Sequence, residues 1–275
     1  MQKISVVIPV YKPEKKILDM IKENLGKQSV KPFEIIENWN MPEAKSMNTG
    51  IKKAKGNIIV TLDQDCLPED EFWLEKLVKP LEEKRVVAVV SDLYLPTWYW
   101  NTYPFFTRIL TLNERVIKYP TMDARGCAYR KRDLIKAGLF NEDPKVIAVE
   151  SNLYHNLKKM GEIVRSGGMI YHLHYLNNKK KMRLDYNYAF SNGRVIRKEM
   201  FKDKIFFRRI LRGIPLLGMF SMFYRFPFKE YYYLFPIYFF LVFIQHAIWV
   251  YGFWHGFFFD KESTRNTQSV NEKNN

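Results

Sequence analysis

Two carboxylates one residue apart, Asp63 and Asp65 in Asp63-Gln64-Asp65, directly follow the apolar run Asn57-Ile58-Ile59-Val60-Thr61-Leu62. At the end of a strand such a pair can point into one cleft and share a hard divalent cation. Mg²⁺ or Mn²⁺ takes one or two carboxylates and fills its other positions with water and phosphate oxygens. An ion held there acts as a Lewis acid, neutralising charge that develops on a departing diphosphate. The same tripeptide serves elsewhere as turn or capping residues, so its meaning depends on the elements that carry it.

Those elements alternate. Ile4 to Ile8 is a short β-branched run stopped by Pro9 and fits a buried strand. Pro13 opens a helix with Ile17, Leu18, Ile21 and Leu25 at helical spacing, closed by Gly26. Phe33 to Ile36 reads as a second strand, Ala44 to Lys55 as a helix ended by Gly56, and Asn57 to Leu62 as the third strand. A helix is expected over Glu69 to Lys84 and a strand over Val86 to Leu93. The β-α-β-α-β-α-β order predicts an α/β fold with an open, mostly parallel sheet and helices on both faces. Ligands bind such sheets at the carboxyl ends of the strands, which is where Asp63 and Asp65 fall. No G-x-G-x-x-G or G-x-x-x-x-G-K-[ST] occurs, so dinucleotide-binding and P-loop readings lose their main support.

The chain has 275 residues, and 47% of them are apolar, which excludes wholesale disorder. Cys66 and Cys127 cannot build a disulfide framework, and no C-x-x-C pair suggests structural zinc. The net charge of +15 is concentrated: Leu176 to Lys229 holds fourteen basic residues against three acidic ones. Next comes Tyr231 to Phe259, 29 residues without Asp, Glu, Lys or Arg. A helix from Pro236 to Phe259 would be about 36 Å long, enough to span a bilayer core of about 30 Å. The chain is therefore expected to divide into an α/β main domain over 1–203, basic amphipathic interfacial helices over 204–230, a transmembrane helix over 231–259 and a polar tail over 260–275. The amphipathic stretch Ile205 to Phe228 is expected to break at Gly213-Ile214-Pro215, with its basic residues facing lipid phosphates. A basic run also suits nucleic acid, but its place beside an apolar span makes lipid head groups the better partner and leaves no nucleic acid expected. Basic residues before the span place the main domain in the cytoplasm, and Met1-Gln2-Lys3 leads straight into a strand without a leader peptide.

Three segments in order resemble successive motifs of the family 2 glycosyltransferases: Ile4-Ser5-Val6-Val7-Ile8-Pro9-Val10-Tyr11, Asn48-Thr49-Gly50 through Gly56, and Leu62-Asp63-Gln64-Asp65-Cys66-Leu67-Pro68. The resemblance covers roughly residues 1–200. It implies a GT-A fold and an inverting, metal-dependent enzyme using a nucleoside-diphosphate sugar (a GDP- or UDP-sugar) with Mn²⁺ or Mg²⁺. It places Asp63 and Asp65 at the metal, and Pro9, Tyr11, Asn48, Asp63 and Gln64 at the donor.

Further segments are similar to later parts of the same family. Gly126-Cys127-Ala128-Tyr129 through Glu142 looks like the acceptor side, which puts Gly126 and Cys127 by the acceptor. Val149-Glu150-Ser151-Asn152-Leu153 aligns with the Glu-Asp-x-Asp-Leu element, with Glu150 in the place of the general base. Inversion needs one carboxylate near the attacking hydroxyl. The alternative for Glu150 is a cap on the helix running to Met160. Tyr171-His172-Leu173-His174 resembles a Tyr-His element; alternation puts both histidines on one face, as a third metal ligand or a phosphate contact. Asn192 to Lys198 looks like a donor-covering segment, giving Arg194 or Arg197 the diphosphate or else a place on the basic surface. The family's base-binding acidic run is missing after the second strand. Glu37, Asn38 and Trp39 stand there instead, Glu37 or Asn38 for a base contact and Trp39 for stacking. The aromatic cluster Trp98 to Phe106, with Trp98 and Trp100, suits a sugar acceptor or a lipid interface.

The expected function is sugar transfer to a polyprenyl-linked acceptor. A polyprenyl-phosphate acceptor and a non-catalytic protein that binds nucleotide-sugar or anionic lipid are the alternatives.

Overall fold

The structure is a computed structural model and describes residues 3–112, 116–117, 122, 124–142, 149–198, 210–224 and 226–259. In chain order its elements are β1 (Ile4–Val10), α1 (Lys15–Lys27), β2 (Glu34–Trp39), α2 (Glu43–Lys53), β3 (Ile58–Thr61), β4 (Cys66–Pro68), α3 (Trp73–Val78), β5 (Val86–Tyr94), α4 (Thr97–Trp100) and α5 (Phe105–Leu110). They continue with β6 (Val116–Ile117), β7 (Cys127–Arg130), α6 (Lys131–Lys136), α7 (Ser151–Met160), β8 (Glu162–His172), α8 (Asn178–Lys198), α9 (Leu217–Tyr224), α10 (Phe228–Tyr231) and α11 (Phe235–Phe258). They fall into two compact units. One comprises Met1–Trp100, Glu114–Asp143 and Ala148–His174; the other comprises Asn101–Asn113, Pro144–Ile147 and Tyr175–Asn275.

The first unit is built on one sheet of order β2-β1-β3-β7-β5-β8-β4, with β6 paired to β5. The expected mostly parallel sheet is in fact mixed. β2, β1 and β3 run parallel, as do β5 and β8. β7 enters antiparallel between β3 and β5, and β4 pairs antiparallel with β8. A strand buried on both faces shows the same apolar run in either direction, so the sequence pattern does not distinguish them. α1 buries Ile17, Leu18, Ile21 and Leu25, the anticipated stripe. Met47 and Ile51 of α2 join Val7, Ile59, Tyr129 and Leu153 in one core cluster.

The single helix expected over Glu69 to Lys84 is also corrected. β4 comes first, the Asp70 carboxylate then accepts from the Phe72 N–H at 2.9 Å, and α3 covers only Trp73–Val78 before a 3₁₀ turn at Lys79–Glu82. Pro80 lacks the N–H that an α-helix needs and tightens the chain there.

β8 carries a bulge. Val90 pairs with Arg165 and Asp92 with Met169, so Ser166, Gly167 and Gly168 form an excursion, with Gly167 at φ +71°. Past it, Met169 to Tyr171 pairs with β5 while Ile170 to His172 pairs with β4. Bulges bend and re-aim a strand in this way.

In the second unit α8 packs along α11 at very close range. A Cβ on Gly252 would lie 2.8 Å from the Tyr186 carbonyl oxygen, and Cβ atoms on Gly193 and Gly256 would run into the Phe253 and Phe190 carbonyls. Between the helices Lys181 Nζ pairs with Asp185 at 2.7 Å, and Gln245 Nε2 donates to the same carboxylate at 2.7 Å. Residues 210–213 are helical and α9 begins at Leu217, so the chain does break at Gly213-Ile214-Pro215. The part of the amphipathic reading over 205–209, residue 225 and the polar tail 260–275 lie outside the described residues. The helical run Phe228–Phe258, most of it α11, is long and apolar enough to cross a membrane, and only 28% of its apolar window is buried within the protein.

Gly161 directly precedes β8, and a Cβ there would collide with the Arg85 backbone oxygen, which cannot swing away as a side chain would. Gly161→Ala is therefore expected to destabilise the first unit by about 1–3 kcal/mol, read as a lower denaturant midpoint with an unchanged m-value.

Candidate active site

The short β4 strand builds the site. β3 ends at Thr61, the Cys66 N–H donates to the Asp63 carbonyl at 3.0 Å to close a turn, and Cys66 then pairs opposite His172. One step further the Leu173 N–H donates to the Asp65 carbonyl at 2.7 Å. This holds the Asp65 carboxylate between the side chains that flank Leu173. Oδ2 lies 3.5 Å from His172 Nε2 and 3.3 Å from His174 Nδ1, and the two imidazoles stack with centroids 5.8 Å apart. Arg125 Nη1 stands 3.4 Å from His172 Nε2. Burial alone would push the Asp65 carboxyl up. The charge and hydrogen bond of His172, joined by those of His174, outweigh it and hold the group well below the usual carboxylate range.

One carboxylate oxygen and two ring nitrogens thus converge, all within 4.8 Å of one another. Among the described residues this is the one grouping of its kind, and the half-buried Asp63 is not a member. Of the four residues expected at the metal, Asp65, His172 and His174 come together and Asp63 lies outside the grouping.

Gln64 serves the scaffold. Its side chain accepts from the Tyr11 N–H at 2.7 Å and donates to the Tyr11 carbonyl at 2.9 Å, clamping the loop after β1 to the loop after β3. Pro9 lies inside β1 opposite Asn38. Asn48 is buried in α2: its oxygen accepts from the Phe140 N–H at 3.0 Å, and its nitrogen donates to the Phe140 carbonyl at 2.9 Å and to Glu142 at 2.7 Å. At the end of β2, Asn38 donates to the Ser46 carbonyl at 2.9 Å and Glu37 pairs with Lys22 at 3.1 Å. Trp39 donates to Glu37 at 3.2 Å and keeps an exposed ring face.

Residues 28–138 match the family model for glycosyl transferase family 2. This stretch, under half of the chain, resembles a family 2 glycosyltransferase domain. No curated protein matches the sequence. Among solved structures, a mannosyltransferase from Pyrobaculum calidifontis in complex with GDP-Man and Mn²⁺ shares 12% identity. The alignment covers 94% of this chain and 88% of that one, with a TM-score of 0.58. GalNAc-T7 with UDP, GalNAc and Mn²⁺ shares 15% over 70% of this chain and 51% of that one, with a TM-score of 0.47. The fold of the glycosyltransferase domain is GT-A, with the long C-terminal helix appended.

The family match takes in Asp63, Asp65, Gly126 and Cys127, whereas Glu150, His172 and His174 lie beyond it. Gly126 enters β7 at φ +71°, its N–H donating to the Thr61 carbonyl at 2.9 Å, and a Cβ there would meet Ile170 Cδ1 at 2.7 Å. Cys127 and Cys66 are buried, and neither is in a disulfide. Glu150 precedes α7 without a side-chain capping bond. The buried Tyr129 phenol is pushed well up, chiefly by burial, then by Cys127, with the Glu150 carboxylate adding to it. Trp98 is exposed in α4 while Trp100 is buried, so the two do not present one surface. Arg194 and Arg197 belong to the second unit. Arg194 lies over the Phe190 ring at 5.8 Å, and Arg197 donates to the Phe257 and Phe258 carbonyls at 3.4 and 3.5 Å.

Sequence reasoning missed Arg125. Its signal was its place directly before Gly126, in the glycine-led segment that returns to the sheet.

Asn48→Ala would strand the buried N–H and carbonyl of Phe140. The glycosyltransferase domain is expected to lose about 2–3 kcal/mol of stability, measured by chemical denaturation, while His174→Ala at the half-exposed site leaves the midpoint nearly unchanged.

Proposed function

We propose that this chain transfers a sugar, with inversion, from a nucleoside-diphosphate sugar to a polyprenyl-linked acceptor at a membrane, using a divalent ion held by Asp65, His172 and His174. The observation that carries the reading is the convergence of that carboxylate and two imidazoles at the strand ends of a family 2 domain. The donor set fits a six-coordinate ion: three protein ligands on one side leave positions for diphosphate oxygens and water. Two ring nitrogens suit Mn²⁺ better than the harder Mg²⁺. A mannosyltransferase of similar fold, solved with GDP-Man and Mn²⁺, supports the donor class and the ion. Bound there, the ion supplies charge neutralisation to the departing diphosphate.

The chain's own groups do the rest. The Arg125 guanidinium, beside His172, is suited to pair with diphosphate oxygens in a forked geometry. Gln64 fixes the Tyr11 loop against the metal-site turn, and Trp39 offers its ring to the donor base. Glu150, at the start of α7, takes the proton of the acceptor hydroxyl. The exposed apolar helices of the second unit attach the enzyme to the bilayer, with the basic residues before them on the cytoplasmic side. Such attachment brings the domain to acceptors that are themselves membrane-bound.

The test uses purified full-length protein in detergent with a panel of labelled nucleotide-sugars, Mn²⁺ or Mg²⁺, and a membrane lipid extract. Label is expected to enter the organic phase with one donor, faster with Mn²⁺ than with Mg²⁺. Asp65→Ala should abolish transfer and Glu150→Gln should slow it by about 10²–10⁴-fold. Loss in Asp65→Ala alone would replace the hydroxyl acceptor by a polyprenyl phosphate, which needs no base. Absence of label with every donor would sink the reading.

A further inference from the structure

α11 presents two unlike faces along its length. Tyr238, Val242, Gln245, Trp249, Gly252 and Gly256 are buried, while Ile237, Phe240, Ile244, Tyr251 and Phe258 are exposed at helical spacing. α9 adds Leu217, Phe220 and Tyr224, also exposed, Tyr224 at 92%. Surfaces of this kind are covered by lipid or by protein. What decides the geometry of the covering is the helix on the other side.

α8 runs parallel to the second half of α11. Asp185 meets Gln245, Ala189 meets Gly252, Gly193 meets Phe253, and Arg197 reaches the Phe257 and Phe258 carbonyls. Whatever depth residues Gln245 to Phe258 occupy, α8 occupies it too. Its outward positions include Arg183, Asn187 and Arg197, all exposed. Arg212, on the third segment packed here, lies 3.8 Å over the Trp249 ring, again in this half. Ahead of Gln245 the uncharged part of the helical run, Tyr231 to Ile244, is about 21 Å long, short of a hydrocarbon core of about 30 Å. A perpendicular α11 could cross the core only by carrying the guanidinium groups of α8 into hydrocarbon, where charge is costly. α11 is also not free of α8: Gln245, the polar residue at its middle, is satisfied by Asp185, and the glycine contacts leave no room for lipid between the helices.

From this we infer that α11 lies in the plane of the membrane. Its Ile237–Phe240–Ile244–Tyr251–Phe258 face and the outer face of α9 are sunk in one leaflet, and α8 rides at the level of the head groups. The occupant of the apolar face is an anionic lipid leaflet. Lys179, Lys180, Arg183 and Arg197 are exposed on the helix that backs the apolar face, where phosphates of the same leaflet can pair with them. The inference rests on the membrane attachment proposed above and is independent of the transfer reaction.

The two ends of α11 report the disposition. Full-length Tyr233→Cys and Phe259→Cys, both at exposed positions, are made by cell-free synthesis with sealed phosphatidylglycerol–phosphatidylcholine vesicles. Vesicle-bound protein is isolated by flotation and treated with a membrane-impermeant maleimide. Cys66 and Cys127 are buried, so wild type supplies the background. An in-plane helix leaves both ends on the outer side, and each introduced thiol labels from outside as fully as in detergent. A spanning helix protects the Phe259→Cys thiol until the vesicles are opened, and that result overturns the inference. Tyr232→Cys repeats the first position should Tyr233→Cys fail to fold. Failure of the wild type to float would remove both the in-plane helix and the membrane attachment. Sugar transfer in detergent would still report separately on the chemistry.

Discussion

Three residues of strand decide where the chemistry can be. β4 is only Cys66–Pro68, yet its antiparallel pairing with the end of β8 is what sets Asp65 beside His172 and His174. The carboxylate comes from the loop after β3 and the imidazoles from a strand more than a hundred residues later, so neither segment makes the site alone. The bulge at Ser166-Gly167-Gly168 belongs to the same device, because beyond it one strand serves two partners, β5 and β4. Partial burial of a carboxylate would ordinarily favour its neutral form. Here the flanking histidines reverse that balance and keep the anion, the form in which it can serve as a ligand.

The second unit solves a different problem. A helix as apolar as α11 needs a partner for every part of its circumference, and protein covers only one side of it. On that side the partner is a charged helix brought to backbone contact by Gly193, Gly252 and Gly256, with Lys181, Asp185 and Gln245 sealed between them. A buried ion pair with an amide on the same carboxylate contributes little net stability, but removing any member leaves the others unsatisfied. It therefore fixes which face of α11 turns toward α8 and, by exclusion, which face is left exposed.

The parts legible in sequence are those with a repeating physical signal. β1, β3 and β5 were readable because strands buried on both faces are continuous apolar runs, and α1 because its four core residues fall on one stripe. Strand direction was not readable, which is why a mostly parallel sheet was expected and a mixed one found. The overlong helix at 69–84 came from reading apolar spacing through Pro80. At the site, Asp65, His172 and His174 could each be marked as metal-binding, but their grouping, and the exclusion of Asp63 from it, depend on a pairing between distant strands. Asn48 shows the limit most clearly: its motif marked a donor contact, while its three hydrogen bonds run to Phe140 and Glu142, over ninety residues away.

Those bonds also bear on the acid proposed as the base. Glu150 stands before α7, without a capping bond of its own to hold it. The chain leading to it is nevertheless anchored. Asn48, buried in the core helix α2, grips both backbone groups of Phe140, and the next residue, Asn141, donates its N–H to the Val149 carbonyl at 2.9 Å. On its far side Glu150 accepts from the Tyr154 N–H at 2.8 Å as the first turn of α7 closes. The backbone at Glu150 is thus fixed from α2 on one side and from its own helix on the other, while its side chain is left uncommitted to capping. The base proposed at Glu150 would need that combination, since its main chain must hold position while its carboxylate turns to a substrate. Asn48 then acts at a distance, by holding the segment from which the base proposed at Glu150 projects.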